Sequence, residues 1–291
     1  MDNQISGHTR LYCLIGTPVG HSGSPAMYNY SFARTGIDAA YLAFDVPLDK
    51  VEDALTAIKT LHIAGFNVTM PDKRKVATLV DELSPAARLI GACNTVTISE
   101  DGKLTGHNTD GIGFVRNLHE NGVEVKDSSI VLLGAGGAAT AIAVQSALSG
   151  AKELHIFNRQ DEFYENAKET VEKLHKEIPS LKVDLTPLED SNALKEAIEG
   201  SDILVNATKV GMKPLDGESL VKKSFLRKDL VVADTVYNPK KTKLILEAEE
   251  VGCRKAIGGI GMLLWQGVEA FHLFTGKDMP AKEVLEKFFL K

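Results

Sequence analysis

Short β-branched and apolar runs alternate along the chain with longer stretches whose apolar positions recur at helical spacing, the βαβ pattern of an α/β fold. In the first part, residues 11–16, 41–46 and 66–70 read as strands. Ser24-Pro25 and Ser84-Pro85 each place a capping hydroxyl before a proline, as N-cap and first residue of a helix. Residues 94–107 read as a hairpin turning at Asp101-Gly102, and residues 110–118 as a helix closed by Gly122. A second series starts at Ser129, with strands at 130–133, 154–158, 203–206, 230–234 and 254–257 and a helical segment in each long interval. Residues 262–290 read as helical, broken at Gly276 and Pro280.

A chain of 291 residues accommodates two hydrophobic cores more comfortably than one. Hydrophobic residues at 44% and charged residues at 25% are ordinary for a globular protein. A net charge of −6, with Lys and Arg scattered apart from Lys73-Arg74-Lys75, argues against a nucleic-acid partner. No apolar run approaches a membrane span, and the polar start of the chain has no signal-peptide core, so the expected location is the cytoplasm. Cys13, Cys93 and Cys253 lie far apart in apolar stretches and read as reduced core residues. The histidines show no metal spacing; His107 reads as a strand-end residue, and no metal is expected.

The strongest local signal is the apolar run 130–133 leading into Gly134, Ala135, Gly136, Gly137 and Ala138 and then an Ala-rich stretch. A glycine turn between strand and helix lets the backbone approach a pyrophosphate, and the helix start offers free N–H groups and the positive dipole end. The next strand ends in Asn158, Arg159, Gln160 and Asp161, where a dinucleotide fold reads the adenosine ribose. Arg159 suits a 2′-phosphate and Asp161 a free 2′-hydroxyl, although Asp161 also suits the cap of the following helix. An aspartate beside a 2′-phosphate is repulsive, so the expected cofactor is NAD, with NADP also possible. In the first part, the cations of Lys73-Arg74-Lys75 oppose the dipole of the helix they open, which suggests that something other than helix stability places them. Asp110, after His107-Asn108-Thr109, reads equally as a helix cap or a site residue.

Six motifs then occur in order: Ser22-Gly23-Ser24-Pro25, Asn67-Val68-Thr69-Met70-Pro71-Asp72-Lys73, Asn94-Thr95, Asn108-Thr109-Asp110, Gly134-Ala135-Gly136-Gly137-Ala138, and Gly261-Met262-Leu263-Leu264-Trp265-Gln266. The whole resembles the shikimate dehydrogenase family, and segments 158–163, 208–214 and 236–239 resemble its quinate/shikimate dehydrogenase branch. The resemblance implies an α/β substrate domain followed by a Rossmann-like, doubly wound dinucleotide domain, with the last helices returning to the first domain. The implied division is 1–113 plus 262–291 against 114–261.

By that resemblance Lys73 and Asp110 are the catalytic pair. A lysine, with a reference pKa of about 10.4, serves as a neutral base only when its proton affinity is lowered, and a close aspartate works the other way. The pair is therefore expected to act as one coupled unit. The same resemblance gives Ser22 and Ser24 the substrate carboxylate and Thr69, Asn94 and Gln266 the ring hydroxyls. Lys209, Val236, Tyr237 and Gly259 match the nicotinamide end, with Tyr237 counted among the substrate-binding residues. Gly23 stands where many relatives carry lysine, and Asp72 where many shikimate-specific relatives carry phenylalanine.

The implied activity is reversible NAD(P)-dependent oxidation of a ring hydroxyl of shikimate, to 3-dehydroshikimate, or of quinate, to 3-dehydroquinate, by a monomer or homodimer of the aromatic amino acid (chorismate) pathway. The alternatives are a strictly NADP-dependent biosynthetic shikimate dehydrogenase, a dehydrogenase for an amino-substituted analogue of the same ring, and a non-catalytic dinucleotide-sensing regulator.

Overall fold

The computed structural model describes residues 5–290. It divides into two compact units, one running to Thr109 and resuming at Leu264, the other spanning Asp110–Leu263. The division implied by sequence put residues 110–113 with the first domain, whereas here Asp110 and the residues after it group with the second unit.

The first unit contains β1 (Arg10–Gly16), α1 (Ser24–Thr35), β2 (Ala39–Asp45), α2 (Val51–Thr60), β3 (Gly65–Val68), α3 (Lys73–Ala77), β4 (Glu82–Leu83), α4 (Pro85–Ile90), β5 (Thr95–Ile98) and β6 (Leu104–His107). Its sheet has the order β2-β1-β3-β5-β6-β4. β1 runs parallel to β2 and β3, whereas β5 is antiparallel to both β3 and β6. After Arg10, β1 is apolar to its end because both faces of the sheet are covered. On one face Tyr12, Tyr28, Phe32 and Tyr41 form an aromatic core, with Tyr28 stacked on Tyr41 at 4.4 Å between ring centroids. On the other, Cys13, Ile15, Leu55, Ile58, Phe66, Val76 and Leu104 pack together.

The second unit contains α5 (Asp110–Glu120), β7 (Ser129–Leu133), α6 (Gly137–Leu148), β8 (Glu153–Asn158), α7 (Glu162–Glu177), β9 (Lys182–Pro187), α8 (Ser191–Gly200), β10 (Ile203–Asn206), β11 (Val231–Asp234), α9 (Lys243–Val251) and β12 (Lys255–Ile257). The sheet is parallel throughout, in the order β12-β11-β10-β7-β8-β9. The chain winds outward from β7 through β8 and β9, returns to the far side of β7, and winds outward again. The direction reverses between β7 and β10, the point where doubly wound sheets bind ligands.

α10 (Ile260–Thr275) leads out of the second unit, and α11 (Ala281–Val284) and a π-helical turn at Leu285–Phe289 follow. From Leu264 onward these helices pack on the first unit: Phe271 and Phe274 join the aromatic core, and Arg34 pairs with Glu283 at 2.8 Å. Among the described residues, no helix is long and apolar enough to cross a membrane.

Several local expectations need correction. Gly23, not Ser24, is the N-cap of α1, and Ser24 is its first residue. β3 stops at Val68 rather than running to residue 70. β4 and β9 were not anticipated; β4 is two residues long, and β9 is a charged edge strand ending in a proline, so neither carries a core-strand pattern. On α9 Leu244 is buried in the core, whereas Leu246 is 52% exposed.

α5 lies directly on α6, since a Cβ on Gly111 would sit 2.3 Å from the Ala141 carbonyl oxygen. This approach positions the residue before it, Asp110. Gly111→Ala must push the helices apart, and a loss of about 1–3 kcal/mol in unfolding free energy is expected by denaturant titration; undiminished stability would show that the helices separate freely.

Candidate active site

The sheet register gathers the substrate-side residues of the first unit at one end. Ile15 of β1 pairs with Val68 of β3, so the segments that leave those strands, toward Ser22 and toward Thr69, emerge together. β5 is antiparallel, so its start lies at the same end, and the Val68 N–H donates to the Asn94 carbonyl at 2.8 Å. Thr95 pairs with His107, which brings Asn108 and Thr109 there as well.

Asn94 is the hub of this end and is 3% exposed. Its Oδ1 accepts the Thr109 N–H at 2.9 Å, and its Nδ2 donates to the Thr109 hydroxyl at 3.0 Å. Behind it, the Tyr41 hydroxyl donates to Asn67 Oδ1 at 2.7 Å, and Asn67 Nδ2 donates to the Thr95 hydroxyl at 2.9 Å. Such groups are costly when buried unpaired, so the chain of partners holds Asn94 in a single orientation. Tyr41, Asn67 and Thr95 were not assigned roles from sequence, although Asn67 and Thr95 lie in two of the ordered motifs.

Lys73, half-buried, is the first residue of α3, and its carbonyl accepts the Cys93 N–H at 3.1 Å. Thr69 crosses close to β1: its N–H donates to Ile15, and a Cβ on Gly16 (φ 145°) would sit 2.4 Å from its methyl. The Ser22 hydroxyl accepts the Ser24 N–H at 3.2 Å, so Ser22 shapes the entry to α1. Gln266 is half-buried on α10, and the next residue, Gly267, accepts the Tyr28 hydroxyl at 3.2 Å, which ties that turn to α1. His107 touches the Thr97 hydroxyl at 3.2 Å, and burial pushes its pKa down, as suits a strand-end residue.

In the second unit, Gly134 takes φ 112°, and a Cβ there would meet the Ala207 carbonyl oxygen at 2.9 Å. Cβ atoms on Gly136 or Gly137 would instead point into open space. Gly136 caps the twelve-residue α6 without a side-chain hydrogen bond, which leaves the first N–H groups of that helix for an anion. Asn166 Nδ2 donates to the Ala135 carbonyl at 3.3 Å, bracing the turn from α7. This cradle fits a dinucleotide pyrophosphate. Ala138 follows in the first turn of α6.

At the end of β8, Asp161 is the N-cap of α7: its Oδ1 accepts the Phe163 N–H at 3.0 Å and Asn158 Nδ2 at 2.9 Å. The capping role weighed for Asp161 is therefore real, and one of its oxygens is already engaged. Arg159 is exposed.

Two residues without an assigned role organise the far end of this site. Asp234, 2% exposed, accepts from Asn206 Nδ2 at 3.0 Å, from the Val236 N–H at 2.9 Å and from the Thr242 hydroxyl at 2.7 Å. Burial pushes its carboxyl pKa up, and these donors oppose that shift. Asn206 in turn accepts the Thr208 hydroxyl and donates to the Val210 carbonyl, framing the exposed Lys209. Gly259 sits against the backbone here; a Cβ would lie 2.3 Å from the Thr235 carbonyl oxygen. Tyr237, beside Val236, is 53% exposed. The polar last residues of two apolar strands are the signal that marks Asn206 and Asp234.

A glycine cradle at the reversal point of a doubly wound sheet, joined to a unit with clustered polar side chains, defines a two-domain dinucleotide-dependent oxidoreductase. Comparison with known families narrows the class. Residues 14–96 match the shikimate dehydrogenase substrate binding domain, residues 117–239 match shikimate / quinate 5-dehydrogenase, and residues 259–287 match the shikimate 5'-dehydrogenase C-terminal domain. A shikimate dehydrogenase (NADP(+)) from Streptococcus uberis is 51% identical over 99% of this chain and 98% of its own. A crystal structure of shikimate 5-dehydrogenase from Listeria monocytogenes in complex with shikimate and NAD is 46% identical, covers 99% of both chains and superposes with a TM-score of 0.96. Quinate dehydrogenase from Corynebacterium glutamicum, in complex with NAD, is 31% identical with a TM-score of 0.87 over 97% of this chain and 99% of its own. The chain belongs to the shikimate dehydrogenase family, NAD(P)-dependent oxidoreductases acting on a CH–OH group.

Asp234→Ala leaves the donors of Asn206, Val236 and Thr242 without their shared acceptor. A loss of about 2–4 kcal/mol in stability is expected, with weaker dinucleotide binding by titration calorimetry. Full stability and affinity would show that the Asp234 network organises nothing.

Proposed function

We propose that this protein is a shikimate dehydrogenase that interconverts shikimate and 3-dehydroshikimate with NADP as its main cofactor. The observation that carries the reading is the gathering of Ser22, Thr69, Lys73, Asn94 and Thr109 at one end of the first sheet, with Asp110 next in the chain. The substrate side follows the relatives named above, since identity to the shikimate enzymes, 51% and 46%, exceeds the 31% to the quinate enzyme. The quinate/shikimate branch suggested by sequence is thus the weaker reading, with quinate at most a second substrate.

Lys73 and Asp110 act together on the hydroxyl that becomes a carbonyl, taking its proton as the C–H electrons leave. A positioned acid–base group of this kind contributes about 10²–10⁴-fold in rate. The bound dinucleotide supplies the hydride acceptor. Gly134, Ala135, Gly136, Gly137 and Ala138 would hold its pyrophosphate, Asn158, Arg159 and Asp161 its adenosine end, and Lys209, Val236 and Gly259 its nicotinamide end. Ser22 and Ser24 hold the substrate carboxylate, and Thr69, Asn94, Tyr237 and Gln266 its remaining polar groups. Each ring hydroxyl thereby keeps a partner once water is displaced.

One observation supports NAD as a real alternative: the Listeria monocytogenes relative binds NAD with shikimate. Against an NAD preference here, Asp161 already spends one oxygen on capping α7, while Arg159 is exposed beside it and suits a 2′-phosphate.

Steady-state kcat/KM with shikimate and quinate, each crossed with NAD and NADP, should be highest for shikimate with NADP. Equal or greater rates with quinate would restore the dual-substrate reading, and no turnover in any combination would sink the activity. Lys73→Ala should lose at least about 10²-fold in kcat yet still bind dinucleotide; wild-type turnover would remove Lys73 from the chemistry. Asp161→Asn keeps a capping side chain and drops the charge, so it should move the kcat/KM ratio toward NADP several-fold. An unmoved ratio would leave Asp161 as a helix cap only.

A further inference from the structure

Asn117 stands on α5 and is 6% exposed. Asparagine is a mediocre helix former, and a buried amide is costly unless it is paired, so packing alone favours an apolar residue there. The amide is used: its Nδ2 donates to the Gly258 carbonyl, 141 residues further on, at 3.3 Å. A Cβ on Gly261 would sit 1.8 Å from Asn117 Oδ1, so only glycine leaves room for the carboxamide. Asn121, one turn later, donates its Nδ2 to the Asn117 carbonyl at 2.8 Å and reaches Oδ1 at 3.4 Å, which limits rotation of that carboxamide. All of these residues belong to the second unit.

The run that Asn117 grips, Gly258-Gly259-Ile260-Gly261, spans the junction of β12 and α10. Three glycines in four residues give it a large backbone freedom and almost no side chain with which to restrain it. Its order therefore comes from its neighbours. The Gly259 N–H donates to the Val236 carbonyl at 3.2 Å, and a Cβ on Gly259 would meet the Thr235 carbonyl oxygen at 2.3 Å. The segment after β11 thus holds Gly259, while α5, through Asn117, holds Gly258 and Gly261. The Leu263 N–H, donating to the Gly259 carbonyl at 3.2 Å, carries the junction into α10.

We propose that Asn117 is a positioning residue for the nicotinamide end of the cofactor, fixing the Gly258–Gly261 junction in the one arrangement against which that end docks. The proposal rests on the reading of Gly259 as part of the nicotinamide site. Asn117 acts through the junction: a backbone already ordered loses less freedom when the ligand arrives, and affinity gains by that difference.

The test is titration calorimetry of the full chain with NADP and with 2′-phospho-ADP-ribose, the same molecule without its nicotinamide. Asn117→Ala frees the junction, so it should weaken NADP by about 5- to 10-fold and leave the fragment unchanged. A purely structural role would weaken both or neither, and either result overturns the proposal, whatever happens to the melting temperature. A methyl on Gly261 must displace the Asn117 carboxamide. Gly261→Ala should therefore repeat the split, and it takes the place of Asn117→Ala if that variant does not fold. Should the wild type bind no dinucleotide, the proposed function fails, and with it the assignment of Gly259. Hydrogen exchange at the Gly259 and Leu263 amides of the ligand-free protein then decides on Asn117. Faster exchange in Asn117→Ala supports its hold on the junction, and unchanged exchange overturns it.

Discussion

Thr109 donates its backbone N–H to the side chain of Asn94 in a place closed to water, and much of the site depends on that bond being made. A buried amide left unpaired costs about as much as a good fraction of a domain's net stability, so neither partner has freedom to turn away. Asn94 is fixed in turn by Thr95 and, through Asn67, by Tyr41. The residue after Thr109 is Asp110, which opens α5, and Gly111 presses that helix onto α6. α6 starts at the glycine cradle. Within the second unit, Gly111 thus ties the helix that follows Asp110 to the helix that starts at the glycine cradle.

The two units solve the same problem with different chemistry. Polar ligands need polar groups at the ends of apolar strands, where unpaired donors and acceptors are expensive. The first unit meets this with neutral amides and hydroxyls in mutual contact. The second uses backbone N–H groups of a helix start and one buried carboxylate, Asp234, as a shared acceptor. Neutral networks suit a polyol, since they present donors and acceptors together; free N–H groups and a helix dipole suit an anion. Asp72 fits neither scheme. It is a buried charge with no partner, and so the residue whose presence stability explains least.

Cofactor choice shows how local and tertiary demands compete for one side chain. The carboxylate of Asp161 that would greet a ribose hydroxyl also serves the N–H of Phe163 and the amide of Asn158. The sequence admits both roles, since Asp at a strand end before a helix is a cap as readily as a ligand. Helix geometry assigns the first; the second depends on what the remaining oxygen meets.

The pattern of apolar runs was enough to place β1, β7, β8, β10 and β11 and the hairpin of β5 and β6, because buried parallel strands and a Gly-turned hairpin both leave strong local signatures. The glycine cradle, with Gly134 at φ 112°, was legible for the same reason: only glycine tolerates that backbone. Lys73 and Asp110 stood out through the ordered motifs. What the sequence left open were matters of partner rather than of type. Nothing in the string ties Asn94 to Thr109, fifteen residues away, or Asp234 to Asn206, twenty-eight away. Nor does it show that Asp161 spends an oxygen on a cap, that Lys182–Pro187 adds an edge strand, or that Asp72 is buried without a donor. Local propensity is a property of neighbours along the chain, whereas burial and hydrogen-bond satisfaction are properties of neighbours in space. Only the folded packing decides the latter.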